Sequence, residues 1–428
     1  MPHTIPGERV RIRLNPARTR RRSATLIEVV RPSPHRVPPR CAHFAPANAP
    51  PCGGCAWQHI AYDEQLRLKT DLLARLVRAA VPAAPAPQPM RAATPLDDPW
   101  HYRHKVHFVF GRDVAMGHYA RGSRQVVPVN ECPVHDERGN AVAFALRDAC
   151  LDNGAGRTLK SVAVRAARAT SETMATIVVA DTNDKRLRRA THAVLAGSAA
   201  PTSLHLNVHP KGDAFIFGRD TRRLAGPARV REEIAGVSFL ISPTAFFQTN
   251  VRAAEILVEL TLDAIPEGAA VLDLYAGAGL FALPLAQREH HVIAIEESRL
   301  AVADGIASRE LNRIPEERCR FIAVPVERAR LPRADAVVLD PPREGCQARV
   351  LNDVFGAIAP KTAVYVSCNP EALARDLAVI VRHGYSVQSI QPVDMFPHTP
   401  HVEAVVVLRL RTSGSRSTTH APRICTIV

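Results

Sequence analysis

Three groups of residues in this 428-residue chain have types and spacings that could do chemistry. Cys368 follows the apolar run Val364-Tyr-Val-Ser367 and precedes Asn369-Pro370 and a helical pattern from Glu371 to His383. A thiol at a strand end and a helix N-terminus should be drawn toward the thiolate, the form that acts as a nucleophile. Most lone cysteines are inert packing, so its position is what singles it out. Asp340 follows the apolar run Ala336-Val-Val-Leu339 and is held by Pro341-Pro342-Arg343. Such a rigid loop has few backbone donors and suits the orientation of a flat base, although it also reads as a proline turn with a solvated acid. The third group is Cys41, Cys52-Gly-Gly-Cys55 and Cys132. Four thiolates suit zinc or an iron–sulfur cluster. The spacing is unlike paired C-x2-C zinc knuckles, and a redox pair at Cys52 and Cys55, or unrelated cysteines, are the other readings.

A fourth segment supplies a ligand loop. Val271-Leu-Asp-Leu-Tyr-Ala-Gly277-Ala-Gly279-Leu-Phe-Ala282 reads as a strand, a glycine turn and a helix start. Backbone N–H groups and missing Cβ atoms there permit close approach of a ligand, though a glycine turn without one has the same pattern. Glu296, at the end of the next strand, could bind ribose hydroxyls in either a dinucleotide or an adenosyl cofactor. Asp273 favours S-adenosylmethionine, because a carboxylate could receive its ammonium but would repel a pyrophosphate. Amino-group methyltransferases carry a loop like Asp340-Pro-Pro-Arg343 with an aromatic last residue. Arg343 in that place argues against an exocyclic nitrogen as target.

These residues need elements to position them, and the length suggests about three domains. From about Ile241, strands at Val271–Tyr275, Val292–Glu296, Ala336–Asp340 and Val364–Ser367 alternate with helical patterns, which indicates a doubly wound parallel sheet with ligands at the strands' carboxyl ends. Residues 100–235 carry short β-branched runs and read as an α+β middle region. Tyr62 to about Val81 has helical spacing, and a Pro/Ala-rich linker runs from Pro82 to Pro95. Arg9–Leu14 and Ala24–Val30 read as paired strands, followed by a Pro-rich connector to Cys41. The expected division is 1–40, 41–235, 236–412 and a loose tail at 413–428. Lys and Arg number 55 against 41 acids, a formal charge of +14. Residues 1–40 hold ten arginines against Glu8 and Glu28, which points to a polyanionic partner. Without a signal-peptide core or a long apolar run, a reducing cytoplasm without disulfides or membrane association is expected.

The segments in combination resemble the RNA uracil-C5 methyltransferase family, especially its iron–sulfur branch that makes 5-methyluridine in 23S rRNA. The resemblance runs from Pro6 to about Leu410 through Pro6-Gly-Glu8, Cys41…Cys52-Gly-Gly-Cys55, Tyr102-Arg103, Phe247-Gln248-Thr-Asn250, Asp273-Leu-Tyr-Ala-Gly, Asp340-Pro-Pro-Arg343, Ser367-Cys-Asn-Pro370 and His401-Val-Glu403. It implies a Rossmann-like α/β methyltransferase domain, an α+β middle domain with a 4Fe–4S cluster on Cys41, Cys52, Cys55 and Cys132, and a partial N-terminal TRAM-like β-barrel. It implies S-adenosylmethionine contacts from Gln248, Tyr275, Glu296 and Asp340, a nucleophile at Cys368 and a base at Glu403. The implied partner is RNA, rRNA before tRNA, met by a monomer whose Phe246 or Phe247 stacks on a base.

The family chemistry calls for these types. Cys368 would add to uracil C6 and make C5 nucleophilic, and Glu403 would later remove the C5 proton. Four departures from the pattern bear on the site. Leu280 replaces a polar residue, and Val324-Pro325 replaces an adenine-contacting acid. The Cys41–Cys52 gap is longer, and His104 stands for Asn. The family's barrel would also begin well before Pro6. A noncatalytic RNA-binding protein is the rival from another class. A nicotinamide oxidoreductase would rest on the glycine loop alone.

Overall fold

The computed structural model describes residues 2–14, 24–46, 49–112, 115–156, 158–181, 184–210 and 216–411. The tail expected at 413–428 and four of the N-terminal arginines lie outside them. The alternation after residue 241 builds an eight-stranded sheet in the order Cys319–Ala323, His291–Glu296, Ala270–Leu274, Ala336–Leu339, Thr362–Ser367, Glu403–Leu410, Tyr385–Asp394 and Arg91–Ala92. The first five strands are parallel. Glu403–Leu410 then inserts antiparallel between its neighbours, so the sheet is mixed where a parallel one was expected. Strand order reverses at Ala270–Leu274, which leaves a crevice at the carboxyl ends of that strand and Ala336–Leu339. Ala336-Val-Val-Leu339 is apolar throughout because both faces are covered.

One face packs on the helix Val251–Ala264 through Val251, Leu257 and Val258. The other packs on the helix Pro370–Arg382 through Leu373, Leu377 and Ile380, and on Leu73 and Val77 of the helix Tyr62–Ala80. The early helix therefore belongs by packing to the eight-stranded sheet. A buried ion pair fixes it there: Lys69 Nζ donates to Asp394 Oδ1 at 2.6 Å and to the Phe396 carbonyl at 3.0 Å. The linker after it contributes the edge strand Arg91–Ala92, parallel to Tyr385–Asp394.

The middle region forms a seven-stranded sheet, in the order Asp220–Ala225, Ser203–Val208, Thr173–Val179, Leu159–Ala166, Lys105–Phe110, Met116–Tyr119 and Val126–Pro128. Its helices, Glu137–Asp152 and Lys185–Leu195, bury Val142, Leu146, Leu187 and Val194 in that sheet's core. The boundary expected at 235–236 falls in the turn of a hairpin, Val230–Ile234 with Val237–Ile241. Both strands bury their apolar alternates in the catalytic core. At the N-terminus Arg9–Leu14 pairs with Ala24–Arg31, and among the described residues this hairpin adds no third strand, so no closed barrel forms. Glu8 closes its base, accepting from Arg36 Nε and Nη2 at 2.7 Å each, which holds its carboxyl down to about 2. Among the described residues no helix is long and apolar enough to cross a membrane.

Candidate active site and cysteine pocket

The residues expected to do chemistry converge on the carboxyl ends of the central strands. Cys368 leaves the strand Thr362–Ser367, and Asn369 caps the following helix by accepting from the amides of Glu371 and Ala372. Asn369 also donates to the Arg343 carbonyl at 2.8 Å, tying this turn to the Asp340-Pro-Pro-Arg343 loop. Glu403 begins the adjacent antiparallel strand, where Ala404 faces Ser367. The sheet register thus brings thiol and carboxyl to one mouth from positions 35 residues apart.

Charge in the mouth is one-sided. Glu403 is buried, and its carboxyl is pushed well above the usual range by burial and then by Asp340, with Arg343 opposing. Burial pushes Asp340 up to about 7. Asp273 is fully buried, and burial, Asp340 and Glu296 hold it strongly toward the neutral form, with the Ala282 amide opposing. Cys368 is pushed up to about 11, by burial first and then by Glu403 and Asp340, with Arg343 opposing. The sequence expectation of a lowered thiol is corrected here: desolvation and two carboxylates outweigh the helix terminus, whose effect is limited to its first turn.

The ligand loop is built as its glycines require. Gly277 and Gly279 lie at φ +55° and +85°, and a Cβ on Gly279 would come within 2.7 Å of the Phe321 ring. Tyr275 also takes positive φ, +63°, and donates its hydroxyl to Glu327 Oε1 at 2.9 Å. Glu296 accepts from the amides of Gly277 and Ser298 at 2.9 and 2.8 Å, so its carboxylate shapes the loop. Leu280 points into the core, away from any polar role. Gln248 lies in the loop before Asn250, which caps the helix Val251–Ala264 and donates to the Met395 carbonyl at 3.1 Å. His104 serves that loop: its amide donates to the Thr249 carbonyl, and its Nδ1 accepts from the Val251 amide at 3.4 Å. Burial lowers its pKa to about 4, so it fills the position as a neutral ring. Phe246 is 73 % exposed while Phe247 is buried, which separates the two stacking candidates.

Cys41, Cys52, Cys55 and Cys132 line one cavity with Gln58, Arg103, His118 and His135. The long Cys41–Cys52 segment folds back, with the Cys52 amide donating to the His43 carbonyl at 2.8 Å. Arg103, half-buried with a buried and unpaired Nε, faces this cavity and places its guanidinium 5.9 Å from the ring centre of Phe396. Direct bonds join the pocket to the loop before Glu403. The amides of Ala56 and Trp57 both donate to the His398 carbonyl at 2.9 Å, and Tyr102 donates to the Pro397 carbonyl at 2.9 Å. Sequence reasoning missed Glu327, His398 and the Lys69–Asp394 pair, whose partners lie 52 to 333 residues away and leave no spacing signal.

A doubly wound sheet with a glycine loop and acids at its crevice defines an S-adenosylmethionine-dependent methyltransferase architecture. Residues 330–411 match the family model for tRNA (uracil-5-)-methyltransferase. An uncharacterized RNA methyltransferase of Gloeobacter violaceus is 36% identical over 426 residues, covering 94% of this chain and 90% of that protein. Another, of Listeria innocua, is 32% identical, covering 96% and 92%. The crystal structure of the Pyrococcus abyssi tRNA (uracil-54, C5)-methyltransferase with S-adenosyl-L-homocysteine superposes with a TM-score of 0.77 at 26% identity, covering 95% of this chain and 94% of that one. The chain belongs to the RNA uracil-C5 methyltransferase family.

Proposed function

We propose that the protein methylates uracil C5 in RNA through a covalent adduct, with Cys368 as nucleophile and Glu403 as base. The observation that carries this is their meeting at one mouth, on adjacent strand ends beside Asp340. S-adenosylmethionine, when bound, supplies an electrophilic methyl group, and Gln248, Tyr275, Glu296 and Asp340 would hold it. The acids at the crevice suit a ligand carrying a sulfonium and an ammonium, since an opposite charge favours their ionised forms. The Cys368 thiolate adds to C6, and the C5–C6 electron pair moves onto C5, which accepts the methyl group. Glu403 then takes the C5 proton, the C5–C6 double bond re-forms, and Cys368 leaves as thiolate. The target uridine must leave its stack to reach Cys368, and the exposed Phe246 would stack in its stead.

Cys41, Cys52, Cys55 and Cys132 fit a 4Fe–4S cluster: four thiols line one cavity, next to a half-buried guanidinium that would balance an anionic cluster. Methyl transfer to an activated carbon needs no redox metal, so the cluster's part is to brace the pocket and the loop bonded to it. This four-cysteine set favours 23S rRNA as substrate, and the basic segment 1–40 attracts its phosphates. The Pyrococcus abyssi enzyme favours tRNA as the second reading. We take the protein to act as a cytoplasmic monomer. Nucleoside mass spectrometry of separated rRNA and tRNA from a deletion strain decides the substrate. Loss of 5-methyluridine from the rRNA pool is expected, loss from tRNA alone would favour the second reading, and loss from neither would defeat both.

A further inference from the structure

The cysteine cavity holds more donors than four thiols. His118, on the strand Met116–Tyr119, and His135, in the turn after Cys132-Pro133, put ring nitrogens beside the Cys132 sulfur. The three donor atoms lie within 4.8 Å of one another. A tetrahedral ion with Zn–N of about 2.0 Å and Zn–S of about 2.3 Å needs donors about 3.5 Å apart, a closure of roughly 1 Å that small ring rotations supply. Ring packing accounts for part of the arrangement: Phe108 sits 4.9 Å from His118 and 5.0 Å from His135, centre to centre. It does not account for the His118 nitrogen. His118 Nε2 is buried without a hydrogen-bond partner, while His135 leans on the Asn140 side chain. Burying such an atom unpaired is costly, and here it needs a reason. Cys132 is meanwhile fixed from behind, its carbonyl accepting from Asn140 Nδ2 at 2.9 Å.

We propose that His118, Cys132 and His135 form a mononuclear site for a divalent cation, with zinc the metal its nitrogen–sulfur donor set suits. A water molecule would complete the tetrahedron, with Cys52 and Cys55 lining the same cavity. Binding releases the Cys132 proton to solvent and the imidazoles bind neutral, so no electron is transferred. Because Cys132 belongs to both donor sets, the pocket holds the iron–sulfur cluster or the single ion, never both. The site therefore gives the middle domain a metal-braced state when iron is scarce.

The test uses the full chain expressed in iron-poor, zinc-supplemented medium, with zinc content measured on the purified protein and ligation read from zinc-edge X-ray absorption. About one zinc per chain with nitrogen and sulfur scatterers is expected. His118→Gln and His135→Gln should each cut bound zinc at least about tenfold in competition with a chelator, the loss typical of a weakened metal site. Both variants, grown with iron, should keep the visible absorption of the wild-type cluster, which also shows that they fold. Sulfur-only ligation, absence of zinc, or unchanged affinity in both variants would overturn the proposal. Its failure is distinguishable from failure of the cluster reading: Cys41→Ser should abolish the iron–sulfur absorption while leaving the histidine-dependent zinc site intact.

Discussion

The strand-end mouth half-buries Cys368 and the cysteine pocket buries Cys55 and Cys132, yet the two surround their thiols with opposite charge. Around Cys368 stand Asp340 and Glu403, with Arg343 as the lone nearby cation in the balance. Around Cys55 and Cys132 the fixed charge is the Arg103 guanidinium, and burial dominates, pushing Cys55 up to about 11. A thiolate in the second pocket has a permanent counter-charge. In the first, neighbouring carboxylates disfavour the thiolate, so on the proposed mechanism its formation depends on a cation or positive dipole entering the site. The construction differs as well. The mouth is assembled from ends of neighbouring strands, whereas the pocket is assembled from loops and depends on links such as Ala56 and Trp57 to the His398 carbonyl.

The sharpest way to break this contrast is Cys368→Ala. It should lower 5-methyluridine formation by at least about 10⁴-fold, as loss of a nucleophile does, and residual product by mass spectrometry would remove Cys368 from its role. Glu403→Gln should slow turnover by about 10²–10⁴-fold while methylated adduct builds up. A protein–RNA band on a denaturing gel checks this, and its absence would count against Glu403 as the base. The seating of the helix Tyr62–Ala80 is tested by Lys69→Met, which leaves Asp394 buried without its counter-charge. A loss of about 3–5 kcal/mol in denaturant unfolding is expected, and a change under 1 kcal/mol would show that the pair does not pin the helix Tyr62–Ala80.

The charge argument also fixes a pH dependence. Burial pushes Asp340 up to about 7, so the carboxylate that would attract a cation is present above that pH and lost below it. Calorimetric affinity for S-adenosylmethionine should therefore rise as pH increases through about 7, by at most about tenfold per pH unit. Asp340→Asn should flatten the curve. The stability sign is opposite: a carboxyl raised in the folded state favours folding at low pH, and that contribution is lost as pH rises from the ordinary carboxylate range to about 7. The smallest effect concerns Glu327→Gln, which weakens the bond that holds Tyr275. The KM for S-adenosylmethionine should rise about fivefold, equivalent to about 1 kcal/mol, with the KM for RNA unchanged; an equal rise in both would assign Glu327 a merely structural part.

The amino-acid order by itself determined the catalytic sheet's parallel strands, the glycine loop, the helix Tyr62–Ala80 and the identity of the thiols and acids that gather in the two sites, because each is written in local periodicity or in a short motif. The hairpin at 230–241 shows where locality stops. Its alternation is legible, but only packing assigns it to the catalytic core. The antiparallel place of Glu403–Leu410, which delivers Glu403 beside Cys368, was decided by strand pairing across the sheet. So were the direction of the Cys368 shift, set by desolvation and distant carboxylates, and the convergence of His118 and His135 on Cys132. Those depend on through-space distance between residues far apart in the chain, and charge, burial and coordination act through space without regard to sequence separation.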